Sequence, residues 1–125
     1  TVKRLEVVSI PVSDQERAKR FYAEQLGFAV VNDAPFGAGQ RWVQLSPGQG
    51  AQTTITLVNW LEAMPPGSAQ GHVLEVANLE AARDALRGRG VEVDEVQDTP
   101  WGKFAGFSDP DGNGWVPHQG ERRPR

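Results

Sequence analysis

The chain has no cysteine, one methionine, one tyrosine and two histidines among 125 residues. Without cysteine there are no disulfides, no thiolate metal centres and no cysteine nucleophile. Basic charge is also short: 13 Lys and Arg against 16 Asp and Glu give a net charge of −3. Nucleic acid is therefore not an expected partner, because phosphate neutralisation needs clustered Lys and Arg. The one basic cluster, Arg122-Arg123-Pro124-Arg125, reads as a solvated tail. No apolar run approaches the ~20 residues of a membrane span, so no membrane partner is expected. The opening Thr1-Val2-Lys3-Arg4 lacks a signal-like apolar stretch, and the expected address is cytoplasmic.

What is present is turn chemistry and tryptophan: 14 Gly, 9 Pro and four Trp, with 38% apolar residues. That length and apolar content suit one domain with one core. The chain also repeats itself. Laying Ile10–Lys19 over Leu74–Arg83 matches Val12 with Val76, Glu16 with Glu80 and Ala18 with Ala82; after one deletion Gly27-Phe28-Ala29-Val30 falls on Gly90-Val91-Glu92-Val93. Val8, Ile10 and Val12 alternate as in a strand, and Ser13 with Glu16 forms a capping-box signature. Ala18, Phe21, Tyr22 and Leu26 then make a helical stripe that Gly27 ends. In the second half His72, Leu74 and Val76 alternate, Asn78 can cap, and Leu79, Ala82 and Leu86 recur at helical spacing before Gly90. Further strands are expected at Phe28–Val31, Arg41–Leu45 and Gln52–Val58, and again at Val91–Val96, Lys103–Phe107 and Gly114–His118. The predicted class is α+β: two βαβββ modules forming an eight-stranded, open, barrel-like cleft with helices outside. Module 1 covers about 1–60, a linker about 61–69, module 2 about 70–119 and a tail 120–125.

Ser9-Ile10-Pro11-Val12-Ser13-Asp14, Ala18-Lys19-Arg20-Phe21-Tyr22 with Leu26-Gly27-Phe28, and Phe107-Ser108-Asp109-Pro110-Asp111-Gly112-Asn113 stand in that order. In motif order and in the paired βαβββ pattern the chain resembles the glyoxalase/bleomycin-resistance/dioxygenase superfamily, the vicinal oxygen chelate proteins. The resemblance spans nearly the whole chain. It implies either a metal-dependent isomerase, dioxygenase or lyase, or a metal-free protein that confers resistance by binding a drug; members commonly pair as dimers. In enzymes of this family His, Glu or Gln ligands stand on the first and last strand of each module. Carried onto this chain, those positions are Val7, Thr56, Gly71 and Val116, and none is a usual ligand. No metal and no cofactor are therefore expected. Alternation turns His72 to the helix side with Leu74 and Val76, whereas His118 and Glu75 share the cleft side.

The cleft side of the predicted strands presents Val7, Ser9, Trp42, Gln44, Thr54, Thr56, Val58, Gly71, Val73, Glu75, Val116 and His118. An apolar lining with a few hydroxyls and a large aromatic suits an organic guest held by burial and stacking. Phe36, Trp60 and Trp101 fall in loops or at strand starts, where each could serve as ligand contact, lid or dimer contact. Trp115, Phe21 and Phe28 read as core. No nucleophile constellation emerges: Ser46-Pro47-Gly48 is a turn and Gly48-Gln49-Gly50 lacks the setting of a phosphate loop. The expected ligand-binding set is Val7, Ser9, Phe36, Trp42, Gln44, Thr54, Thr56, Trp60, Glu75, Trp101, Val116 and His118, with no catalytic residue. The expected function is sequestration of a planar or aromatic small molecule, such as an antibiotic, by a cytoplasmic homodimer without metal. The competing expectation is a lyase or dioxygenase with a displaced metal site using His118, Glu75 or His72, or a metal-free isomerase with Glu75 as base.

Overall fold

Alternating strands followed by capped helices arise twice, as the repeat requires. The structure, a computed structural model, describes residues 1–120, so the expected basic tail lies outside the described residues. The first module comprises β1 (Val7–Pro11), α1 (Gln15–Arg20), β2 (Ala29–Phe36), β3 (Gln40–Ser46) and β4 (Thr54–Val58). The second comprises β5 (His72–Glu75), α2 (Leu79–Gly88), β6 (Gln97–Thr99), β7 (Gly102–Phe104), β8 (Phe107–Ser108) and β9 (Gly114–Gly120). Helix α1 runs directly into a π-helical turn, Phe21–Gln25, and Gly27 follows with φ +78°, the left-handed conformation that favours glycine. No helix of the described residues is long and apolar enough to cross a membrane.

Strand order is β1-β4-β3-β2 in one sheet and β5-β9-β7-β6 in the other, with β8 also pairing β9. In each sheet the first strand runs parallel to the last strand of its module. The α+β two-module reading therefore holds, and four local expectations need correction. The strand expected at Phe28–Val31 runs as Ala29–Phe36, so Phe36 ends a strand paired with β3 and does not stand in a loop. The cap of α1 is Asp14, whose side chain accepts from the Arg17 N–H at 3.0 Å; Ser13 instead donates to Asp111 Oδ1 at 2.6 Å. Val91–Val96 belongs to no strand. Val91 and Val93 are buried in the core cluster, and the ladder begins only at Gln97. The expected strand Lys103–Phe107 is cut in two at Ala105-Gly106. There it faces Pro117, whose carbonyl accepts from the Ala105 N–H at 3.2 Å but which has no N–H to return.

One core unites the modules. Ile10, Val43, Leu45 and Leu57 of the first sheet and Phe107 and Trp115 of the second share a cluster with Phe21, Tyr22 and Phe28. Phe28 and Trp115 meet edge to face, with centroids 6.2 Å apart. Within this apolar mass lies a polar knot. The Tyr22 hydroxyl donates to Asp109 Oδ2 at 2.7 Å and accepts from Trp115 Nε1 at 2.9 Å. Asn113 Nδ2 donates to the same Asp109 oxygen and to the Pro11 carbonyl, both at 2.8 Å. Asp109 Oδ1 accepts the N–H groups of Asp111 and Asn113 at 2.9 Å each. Burial, then the Asp109 charge beside it, pushes the Tyr22 hydroxyl far above the ordinary tyrosine range, so it stays a donor. Gly67 packs against this turn with φ +84°, where a Cβ would collide with the Asp111 carbonyl.

On the helix side of the first sheet, Arg41 grips Asp33 at 2.7 and 2.8 Å and Glu16 at 3.0 Å, and Lys19 reaches Asp33 at 2.7 Å. Hydrogen bonds from Arg41, then Lys19, hold the Asp33 carboxyl well below the usual carboxylate range.

Two outcomes follow. Tyr22→Phe leaves Asp109 and the Trp115 N–H short of a partner and is expected to lower stability by about 1–3 kcal/mol in urea unfolding, with no change of fold. An unchanged midpoint would contradict the polar knot's role. Because the Asp33 value is depressed on folding, its contribution is present above the unfolded carboxylate value of about 4 and is lost as pH falls toward the folded value. Asp33→Asn should therefore flatten the acid limb of a stability–pH curve and leave the region near pH 8 without slope change.

Candidate functional site

The faces of the two sheets turned away from the shared core carry the predicted site residues, because neighbouring residues on a strand alternate sides. On the first sheet the register sets Val7 beside Thr54, Ser9 beside Thr56, and Thr56 beside Gln44. Trp42 Nε1 donates to Gln44 Oε1 at 3.0 Å, and Gln44 Nε2 donates to Thr54 Oγ1 at 2.9 Å. Thr54 Oγ1 in turn donates to the Glu6 carbonyl at 3.1 Å. This chain fixes the Gln44 amide and the Trp42 ring against the sheet. Thr56 is buried, and among the described residues its Oγ1 has no hydrogen-bond partner.

At the far end of that sheet stands an aromatic cluster. Phe36, paired with Gln40 at the β2–β3 hairpin, meets Trp42 edge to face at 5.8 Å and Trp60 at 5.1 Å. Phe36 keeps 40% of its surface exposed. Trp60 also borders a cavity of about 430 Å³ with Val12, Met64 and Pro65.

The second sheet sets Val73 beside Val116 and Glu75 beside His118. The His118 ring stacks on Phe104 with centroids 4.5 Å apart and 20° between planes, and its Nε2 lies 3.4 Å from the Trp101 carbonyl. Trp101 caps the β6–β7 turn with 73% of its surface exposed. Glu75 is exposed. It also borders a cavity of about 600 Å³ that runs along the free edge of β5 between Leu26, Phe28, Leu86 and the loop at Gly48–Thr53. A cavity of about 690 Å³ on the other side of β9 touches Val116 and Gly71.

The structure thus places the predicted residues in two groups, the candidate half-sites. Val7, Ser9, Phe36, Trp42, Gln44, Thr54, Thr56 and Trp60 belong to the first module; Glu75, Trp101, Val116 and His118 belong to the second. His72 is half-buried on the core side at 5.3 Å from the Trp115 ring, as alternation requires. Phe104, which the expected set does not contain, stands beside His118 on the same side of the sheet. The signal was available: with Lys103 turned toward the helix side, its neighbour on the same strand faces the other way.

The positions at which the family resemblance implies ligands hold Val7, Thr56, Gly71 and Val116, an aliphatic, hydroxyl and glycine set without a strong donor. Among the described residues no cluster of three or more His, Asp or Glu side chains could hold a metal ion. Glu75 and His118 are neighbours, but two donors do not make a site. The residues do not fit a metal, and no chemistry is routed through one.

The glyoxalase/bleomycin resistance protein/dioxygenase superfamily matches residues 4–116. The chain belongs to that family. It is similar to TnmS3, an antibiotic binding protein from Streptomyces sp. CB03234, with 45% identity, 96% of this chain and 98% of that chain covered, and a TM-score of 0.91. It is also similar to a glyoxalase/bleomycin resistance protein from Streptomyces sp. CB03234, with 46% identity, 93% and 100% coverage and a TM-score of 0.83. The uncharacterised protein YetH of Bacillus subtilis (strain 168) is 34% identical over 116 residues, covering 90% of this chain and 94% of that protein. The family resemblance of the motifs is thereby shown for the whole fold.

The donor set leads to a direct expectation. A micromolar metal site would add about 4 kcal/mol of stability at ~1 mM metal. Addition of ~1 mM Mn²⁺ or Zn²⁺ should instead leave the melting temperature within about 1 °C, and a rise of several degrees would overturn the argument.

Proposed function

We propose that this protein binds and sequesters a planar aromatic small molecule, an antibiotic being the leading class, without metal and without turnover. The observation that carries the reading is the uncharged first half-site, where Phe36, Trp42 and Trp60 cluster beside the fixed Gln44 amide and Thr54 hydroxyl. Such a surface offers stacking area and a few orienting hydrogen bonds and has no group suited to proton transfer. The 45% identity to an antibiotic binding protein supports the same class of guest.

The site is completed by a second copy of the chain. Within one chain, the core-facing sides of both sheets are committed to a single cluster, while Val73, Phe36 and Trp101 on or beside the other sides stay 59%, 40% and 73% exposed. In the proposed homodimer the first half-site of one copy faces the second half-site of the other, covering this apolar surface. Glu75 beside His118 is the one pairing that favours turnover instead, as an acid–base couple acting on the guest.

Tryptophan fluorescence titration against a panel of planar aromatic antibiotics should give saturable quenching at micromolar concentration, with the guest recovered unaltered by mass spectrometry. Trp42→Ala should weaken binding by about tenfold, as loss of a stacked indole implies. Absence of quenching by every compound would sink the binding reading, and a chemically changed guest would transfer the case to catalysis.

A further inference from the structure

Strand alternation sorts charge between the two sides of each sheet. The sides toward the helices carry the ion pairs: Arg41 with Asp33 and Glu16, and Lys103 with Glu80. On the opposite side of the first sheet, Ser9, Gln44, Thr54 and Thr56 provide amide and hydroxyl groups, and no ionisable residue stands on its paired registers. On the opposite side of the second sheet the ladder sets Glu75 next to His118, and His118 next to Phe104. Glu75 is exposed and makes no ion pair or side-chain hydrogen bond among the described residues. On the paired registers of these two sides the described residues thus include one carboxylate, placed beside the stacked Phe104 and His118 rings.

A guest that matches this surface has a flat body for stacking and a positive centre for the carboxylate. A protonated nitrogen conjugated to an aromatic system meets both demands, since it pairs with the carboxylate and is drawn to the faces of Trp and Phe rings. A carboxylate-bearing guest would instead meet repulsion, since among the described residues no Lys or Arg stands on the paired registers of that side.

We propose that Glu75 makes the site selective for aromatic cations: a planar guest carrying a protonated nitrogen binds in preference to a neutral guest of the same shape. This rests on the binding reading above.

The test uses the full chain and two tricyclic probes of similar outline, 9-aminoacridine, a cation at neutral pH, and acridone, which is neutral, in equilibrium dialysis at low ionic strength. The native protein should favour 9-aminoacridine by about fivefold, the range of an exposed charge pair. Glu75→Gln should bring the two probes within about twofold by weakening 9-aminoacridine binding. Glu80→Gln removes the same charge from the helix side and should keep the native preference. Equal binding of both probes to the native protein overturns charge selection and leaves aromatic binding standing. A Glu80→Gln loss equal to that of Glu75→Gln also overturns it, since bulk charge would then account for the preference. Failure of both probes to bind counts against the binding reading itself.

Discussion

The buried carboxylate of Asp109 is the constraint on which the architecture turns. It sits in the turn Asp109-Pro110-Asp111-Gly112-Asn113, almost free of solvent, and a carboxylate in such a place is costly unless its oxygens are fully engaged. Here one oxygen accepts two backbone N–H groups of its own turn, and the other accepts from Tyr22 on the first module and from Asn113. Asn113 then reaches the Pro11 carbonyl of β1, and its Oδ1 accepts the Ala69 N–H of the linker. Ser13 and Arg17 at the start of α1 close on Asp111 from outside. A single turn of the second module thus holds the first strand, the first helix and the linker, so the relative placement of the modules is set by hydrogen bonds as well as by apolar area.

That placement has a consequence for binding. With Tyr22, Phe28, Phe107 and Trp115 interlocked, the core side of each sheet is used up within the chain, and the other sides carry the candidate site residues. The charged residues of the strands pair with the helices through Arg41 and Lys103, which leaves an uncharged aromatic half-site on one sheet and a half-site with one carboxylate and one imidazole on the other. The same alternation that builds the core therefore composes the surface proposed for binding.

Much of this was legible in the residues. The repeat, the strand phases of β1 and β5, the cap at Asn78 and the stop at Gly27 each depend on neighbours a few positions away, and all appear where the pattern put them. The errors came where a distant partner decided. Ser13 has the composition of a cap, but Asp111 across the fold takes its hydroxyl and Asp14 caps instead. Val91–Val96 has the composition of a strand, but burial of Val91 and Val93 in the core wins over ladder pairing. The break at Ala105-Gly106 depends on Pro117 standing opposite, which periodicity within one segment cannot reveal.

The sequence alone determined the two βαβββ modules, the side of each strand on which a residue stands, and the unsuitability of Val7, Thr56, Gly71 and Val116 as metal ligands. These are local matters of period, turn chemistry and side-chain type. Tertiary structure alone decided the Tyr22–Asp109–Asn113 knot, the Phe36–Trp42–Trp60 cluster and the Phe104–His118 stack. Each joins residues from separate elements, and such contacts arise from how the strands register and how the two sheets close on one core, which no short stretch of the chain encodes by itself.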